Sequence, residues 1–168
     1  VTLKNADGQE EAVQLIAVPQ GESLECYITL ESTEGTQTGL SDGGIFVTQN
    51  AAQVLDFGAG DTVYLQNLQL TQAEAVVSEL VKNYLGNNVY MTQAVYEELF
   101  GEFKPNGVLV KLSVSGEDQL AFADELAARD GVVSCMSTEE MKEDFSAAFT
   151  LINMVVYIII LMAAGLAF

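Results

Sequence analysis

The sequence predicts an α+β fold: a mixed small sheet or sheets with short helices, ending in one long C-terminal helix that continues into a transmembrane span. Three observations predict it. Short runs of β-forming residues are separated by turns rich in Gly and Asp. Amphipathic stretches of helical period stand among them. The last 24 residues, from Phe145 to Phe168, contain no Asp, Glu, Lys or Arg.

The first stretch, "VTLKNADGQEEAVQLIAVP", predicts a hairpin, with Asp7-Gly8 supplying the positive-φ turn chemistry. Residues 23–32, "SLECYITLES", predict a strand that puts Leu24, Cys26, Ile28 and Leu30 on one face by period two. The polar "TEGTQTG" that follows is a loop. A turn at Asp42-Gly43-Gly44 then leads into a strand over residues 45–47, and Thr48 is placed to cap a short helix carrying Ala51, Ala52, Val54 and Leu55. "GAGD", with Gly60 and Asp61, is a tight turn, and "TVYLQ" a strand. Residues 73–91 predict two strands around "GNN", with helix as the competing assignment for 73–85. "TQAVYEELFGEF" predicts a helix capped by Thr92, facing Val95, Leu99 and Phe100 inward and ended by Gly101. Residues 108–136 predict a strand–helix–strand unit: "GVLVKLSV", an amphipathic helix with Leu120, Phe122, Ala123, Leu126 and Ala127 near one face and Gly131 closing it, then "VVSCM". Ser137 with Glu140 three residues on fits a capping box, so the last helix starts near Thr138, with Glu139, Glu140 and Glu143 at its positive end. No Gly or Pro interrupts it before Gly165. At ~1.5 Å per residue such a helix is ~45 Å long, enough for a stalk and a span.

The run from Phe145 to Phe168 is apolar all round rather than on one stripe, and a bilayer core needs roughly 20 such residues in a helix. Its position excludes a signal peptide. With no basic flank after Phe168 and no initiator Met, the sequence is expected to be a piece of a longer membrane protein. The expected organisation is an extracytoplasmic α+β domain over 1–144, as one unit or as subdomains of about 1–91 and 92–136, then a transmembrane helix over 145–168.

Charge narrows the function classes. Twenty-four acidic residues against six basic ones give a formal charge of −18. Binding nucleic acid takes clustered Lys and Arg that displace counterions, and an anionic membrane surface attracts the same residues; neither partner is expected. A domain so poor in basic residues suits the outer side of the membrane. Histidine is absent, which removes the commonest general base and transition-metal ligand. Cys26 and Cys135, both in apolar strand-like contexts, are expected as buried free thiols, although one disulfide is possible in an oxidising compartment. The "GAGD" glycines lack the Lys-Ser/Thr of a P-loop and the GxGxxG spacing. The adjacent acids Glu10-Glu11, Glu97-Glu98 and Glu139-Glu140 diverge on their elements, and no segment has a Ca²⁺-loop pattern. No catalytic residue, cofactor or metal is expected.

The order of these pieces resembles the extracytoplasmic domain of FtsX-like (MacB-type) ABC transporter permeases, especially the large ones of Gram-positive bacteria. "LSDGGIFVTQNAAQVLDFGAGDTVYLQN" is similar to the family's succession of a turn, a "gi.vt" strand, an "A..L....GD" helix and turn, then a strand. Its turn positions here are Gly43, Gly44, Gly60 and Asp61. "VKNYLGNNVYMTQAVYEELFG" is similar to "ENY.gh.vYM....Ye..fg", with Asn83, Tyr84 and Gly86 at the motif's turn, Lys82 replacing the usual acid, and Asn87 and Asn88 at variable positions. "FTLINMVVYIIILMAAGLAF" looks like the opening of the conserved membrane region. The resemblance spans roughly residues 28–168.

The resemblance implies a cytoplasmic ABC ATPase subunit as energy source and a permease dimer or pseudo-dimer. It also implies a cell-membrane location with the domain outside. In the family, such permeases serve lipoprotein release, peptide or drug efflux, peptide sensing or control of wall hydrolases, so a peptide, lipoprotein or cell-wall partner is implied in addition to the bilayer. Two function classes follow: a non-enzymatic transporter module, and a single-span, membrane-tethered binding or receptor domain with no transport role.

Overall fold

A computed structural model describes residues 1–83 and 86–166, with side chains described through Ala163 apart from the same two-residue gap. Tyr84 of the second motif and Phe168 at the end of the expected span lie outside the described residues. The chain divides into two compact units, Val1–Val110 and Lys111–Phe168.

The first unit is built on β1 (Thr2–Lys4), β2 (Glu10–Ala12), β3 (Gln14–Val18), β4 (Glu31–Ser32), β5 (Ile45–Thr48), β6 (Thr62–Gln66), β7 (Gln72–Lys82) and β8 (Asn88–Thr92), with helices α1 (Gln49–Leu55) and α2 (Gln93–Phe100). The strands run β2-β1-β6-β7-β5-β8-β3, and β4 pairs with β7 off this path. The path starts and ends on strands separated in sequence by Val13 alone, so the sheet curls into a near-barrel.

Strand β7 joins the two halves. Its first part pairs antiparallel with β6, from Thr62 opposite Val76 to Gln66 opposite Gln72. Its second part pairs parallel with β5, with a register shift between Ile45 and Phe46. An 11-residue strand can serve both because the irregularity turns its later side chains to the other face. The expected hairpin forms as β1 and β2, with Leu3 opposite Glu11. Buried Asn5 locks its turn: the side-chain amide donates to the Leu55 carbonyl at 2.7 Å and to Gln9 Oε1 at 2.8 Å. Strand β3 leaves the hairpin and runs parallel to β8.

Strands β5 and β8 are buried on both faces, and their alternate residues feed two cores. Ile45, Val47, Val89 and Met91 join Leu3, Val63, Leu65 and Leu55 in the first core, against which Leu99 and Phe100 of α2 pack. Phe46 and Tyr90 join Val18, Leu24, Leu30 and Val81 in the second. Full burial of such a side chain is worth roughly 1.5–3 kcal/mol, so each core residue of these two strands contributes on that order.

Several expectations fail. Residues 23–30 form no strand: the N–H groups of Tyr27 and Ile28 both bond the Leu24 carbonyl at 2.8 Å, closing a helical turn. Leu24 and Ile28 fit that turn as neighbours one helical repeat apart, which period two cannot distinguish from alternation. Cys26 consequently faces solvent and Cys135 is partly exposed; both are free rather than buried thiols. Finally, "GVLVKLSV" and "VVSCM" are not strands, so no strand–helix–strand unit forms over 108–136. Among the described residues neither run gains a pairing strand, and Val108 and Val133 are 86% and 101% exposed.

The second unit contains α3 (Glu117–Ala127) and α4 (Thr138–Leu166). In α3, Ala123 is buried and Leu120 and Leu126 are half-buried, as expected, whereas Phe122 and Ala127 are exposed. The 29 residues of α4 form one unbroken helix. It is long and apolar enough over Thr138–Ala163 to cross a membrane, and no part of its most apolar stretch is buried.

Candidate functional site

The two motif turns of the first unit meet at one place on β7. Gly60 N–H donates to the Val77 carbonyl at 2.7 Å, and Val77 N–H donates to the Asp61 carbonyl at 2.9 Å. Asp61 also closes its own turn, its carboxylate accepting from Gly58 N–H at 2.7 Å. From the other side, the Asp42-Gly43-Gly44 turn presses Gly44 against the register shift. A Cβ on Gly44 would stand 2.4 Å from both the Val76 carbonyl oxygen and Ser78 Oγ, and its φ is +147°. These positions are structural: they clamp β7 where it changes partner. Asn83 and Gly86 lie at the other end of β7, where Asn83 donates to the Tyr90 hydroxyl at 3.2 Å and Gly86 takes φ +73°.

Thr48 precedes α1 as expected, but its hydroxyl does not cap the helix; it accepts from Asn88 N–H at 3.1 Å and ties β5 to β8. Thr92 does cap α2, accepting from Val95 N–H at 3.4 Å, and Gly101 ends that helix at φ +85°. The same hydroxyl donates to Asp42 Oδ1 at 2.5 Å, so the start of α2 and the Asp42 turn are held together.

That junction forms one wall of a cleft of about 380 Å³ in the first unit. Its other walls are the 19–25 loop after β3 and the 38–40 segment before β5. Gln93 ties the first of these down: its carbonyl accepts from Gln20 N–H at 2.9 Å, while its amide donates to Glu97 Oε1 at 2.8 Å. Val18, Leu24, Ile28, Leu30 and Leu40, the outer layer of the second core, form an apolar floor. Four carboxylates line the rim: Glu22, Glu25, Asp42 and Glu97. Within that core, burial pushes the Tyr90 phenol above its ordinary value of 10.0, an effect opposed by the side-chain N–H donors of Asn88 and Asn83.

Sequence reasoning missed this cleft because it placed "SLECYITL" in a strand. A signal was present: no Lys or Arg occurs between Lys4 and Lys82, so most acids of that stretch have no cation near them in sequence. Among the described residues, no group of three or more carboxylates or thiols is placed to hold a metal ion.

At the start of α4, Ser137 is buried and its hydroxyl accepts from Glu140 N–H at 3.0 Å, one half of the expected capping box. Thr138 Oγ1 accepts from the Gln119 amide at 2.9 Å, tying α4 to α3. Glu139 pairs with Lys142 at 3.0 Å. Phe145 is 45% exposed, and the apolar side chains described beyond it through Met162 are exposed too. No family model, curated protein or solved structure matches the chain.

Proposed function

We propose that the chain is the extracytoplasmic module of an FtsX-like (MacB-type) ABC transporter permease, seated on the outer face of the cell membrane. A cytoplasmic ABC ATPase subunit would supply the energy. The permease, as a dimer or pseudo-dimer, would pass it to export, to peptide or lipoprotein handling, or to signalling outside the cell. In this reading the module is non-enzymatic. The observation that carries it is α4: one unbroken helix from a capped Ser137, with its apolar side chains exposed. A helix without a break transmits tilt, so movement at its membrane end becomes movement of α3, which Gln119 binds to Thr138. A second reading, a single-span tethered binding domain, is favoured by the presence of one such helix among the described residues.

Cys26 supplies the test of sidedness, because it is exposed. In intact cells making the full-length protein with Cys135→Ser, a membrane-impermeant maleimide should label the domain, and adding Cys26→Ser should remove that label. Labelling of Cys26 only after lysis would put the domain on the wrong side. The transport reading is tested by purification. An ABC ATPase should accompany the tagged full-length protein, and Ser146→Gly with Ala147→Pro should uncouple ATP hydrolysis from the external function, since proline inside a helix costs ~3 kcal/mol or more. Purification without any ATPase would favour the tethered domain; unchanged coupling in the proline variant would sink the rigid-helix mechanism.

A further inference from the structure

We propose that the cleft above the second core is a docking site for a basic, amphipathic peptide segment. Its volume, about 380 Å³, falls within the range of ligand pockets. The floor supplies apolar surface from Val18, Leu24, Ile28, Leu30 and Leu40. The rim supplies charge of one sign: Glu22, Glu25, Asp42 and Glu97, with no Lys or Arg lining the cleft.

The cations of the same unit are committed elsewhere. Lys4 pairs with Glu10 at 2.7 Å, Lys82 with Glu31 at 2.9 Å and Lys104 with Glu102 at 3.0 Å. Among the described residues, no ion pair involves a cleft carboxylate. Asp42 and Glu97 do accept hydrogen bonds, from Thr92 and Gln93, but these neutral donors leave their charge uncompensated. Like charges around a concave, low-dielectric floor focus their field into the opening, which favours a positively charged occupant.

The arrangement also chooses between occupants. The carboxylates come from three separate segments: the 19–25 loop, the turn before β5, and α2. Carboxylates spread over three segments match several cations carried on one chain better than a single cation on a small molecule. A peptide carrying Lys or Arg on either side of an apolar residue meets several while its apolar side chain enters the floor. The inference concerns the first unit alone and does not depend on the permease reading.

The test uses the full chain in neutral detergent micelles, with empty micelles as blank, and a fluorescent heptapeptide of alternating Lys and Leu. Anisotropy should show saturable binding, weaker at high salt because the rim is exposed. Peptides alternating Lys with Ser, or Glu with Leu, should bind at least about tenfold more weakly, since each lacks one half of the complementarity. Glu22→Gln with Glu25→Gln should weaken the Lys/Leu peptide by about tenfold. Asp7→Asn with Glu74→Gln, which removes the same charge from exposed positions outside the cleft, should change it by less than about twofold. Circular dichroism of both pairs confirms that folding is unaltered. Equal weakening by the two pairs would reduce the effect to general attraction by an acidic chain and overturn the site. So would Lys/Ser binding as tight as Lys/Leu, or no binding above the blank.

Discussion

The two units contain the same kinds of apolar residue and treat them in opposite ways. In β5, Ile45 and Val47 are fully buried; in α4, Ile158, Ile159 and Ile160 are 46–60% exposed. Hydropathy does not separate them, but geometry does. Along a strand, alternate residues point to opposite faces, so a sheet covered on both sides can bury every one of them. Along a helix, successive residues are rotated by about 100°, so the run Ile158–Ile159–Ile160–Leu161 surrounds the axis. Packing a helix or sheet on one side of α4 would still leave part of that run in water. A surrounding apolar medium covers it all, as a bilayer does.

The largest expected effect breaks this contrast by removing one side of it. Truncation after Asp144 should turn a chain that needs detergent into one that sediments as a monomer in buffer. The denaturation midpoint of the sheet unit should not change, because both of its cores lie before residue 111. Association that persists would place the responsible surface elsewhere, with the exposed runs at Val108–Leu109–Val110 and Val132–Val133 the first candidates.

The next prediction sharpens the other side, the tight packing of the sheet. Gly44→Ala puts a methyl 2.4 Å from a backbone oxygen at a φ that L-residues rarely adopt. Either the turn or β7 must shift. The expected cost is about 2–4 kcal/mol in chemical denaturation, from overpacking and backbone strain together. Gly60→Ala is the reference: its φ is +91° but no other atom lies within 4 Å of the new methyl, so strain alone should cost about 1–2 kcal/mol. Equal costs at the two sites would mean that the Gly44 turn does not press on β7.

The same geometry explains what could be read in advance. The hairpin at Asp7-Gly8, strands β5 to β8, the capped helix α2 and the long α4 were legible because each has a local cause: a turn pair, a β-rich run between punctuating glycines, a cap, an unbroken apolar period. The parallel pairing of β5 with β7 and of β3 with β8 was not legible, since it joins segments with few sequence cues to partner choice. "GVLVKLSV" carries strand propensity without a ladder to join, and propensity alone does not make a strand. "SLECYITL" satisfied period two and a helical turn equally well; the second core selected the turn by taking both Leu24 and Ile28. The cleft depends on that turn, so losing one element in the sequence reading lost the site with it. Ser137, by contrast, declared itself through Glu140 three residues later.

The smallest effect belongs to a buried group of the sheet that α4 has no counterpart for. Tyr90 is 2% exposed, and its phenol oxygen accepts from the amides of Asn83 and Asn88 at 3.2 and 3.3 Å. Burial disfavours the phenolate more than those donors favour it, so the folded pKa stands above the ordinary 10.0. Between the two values the unfolded chain has released the proton while the folded chain still holds it. Each rise in pH across that window therefore favours unfolding. The contribution is complete below about pH 10 and is lost as pH climbs through the folded value. Tyr90→Phe keeps the ring in the second core and removes the titration. Its stability should follow that of the wild type at a constant small offset up to about pH 10, then fall less steeply, in urea titrations compared pH by pH. Parallel curves throughout the alkaline range would show that the Tyr90 phenol reaches water after all.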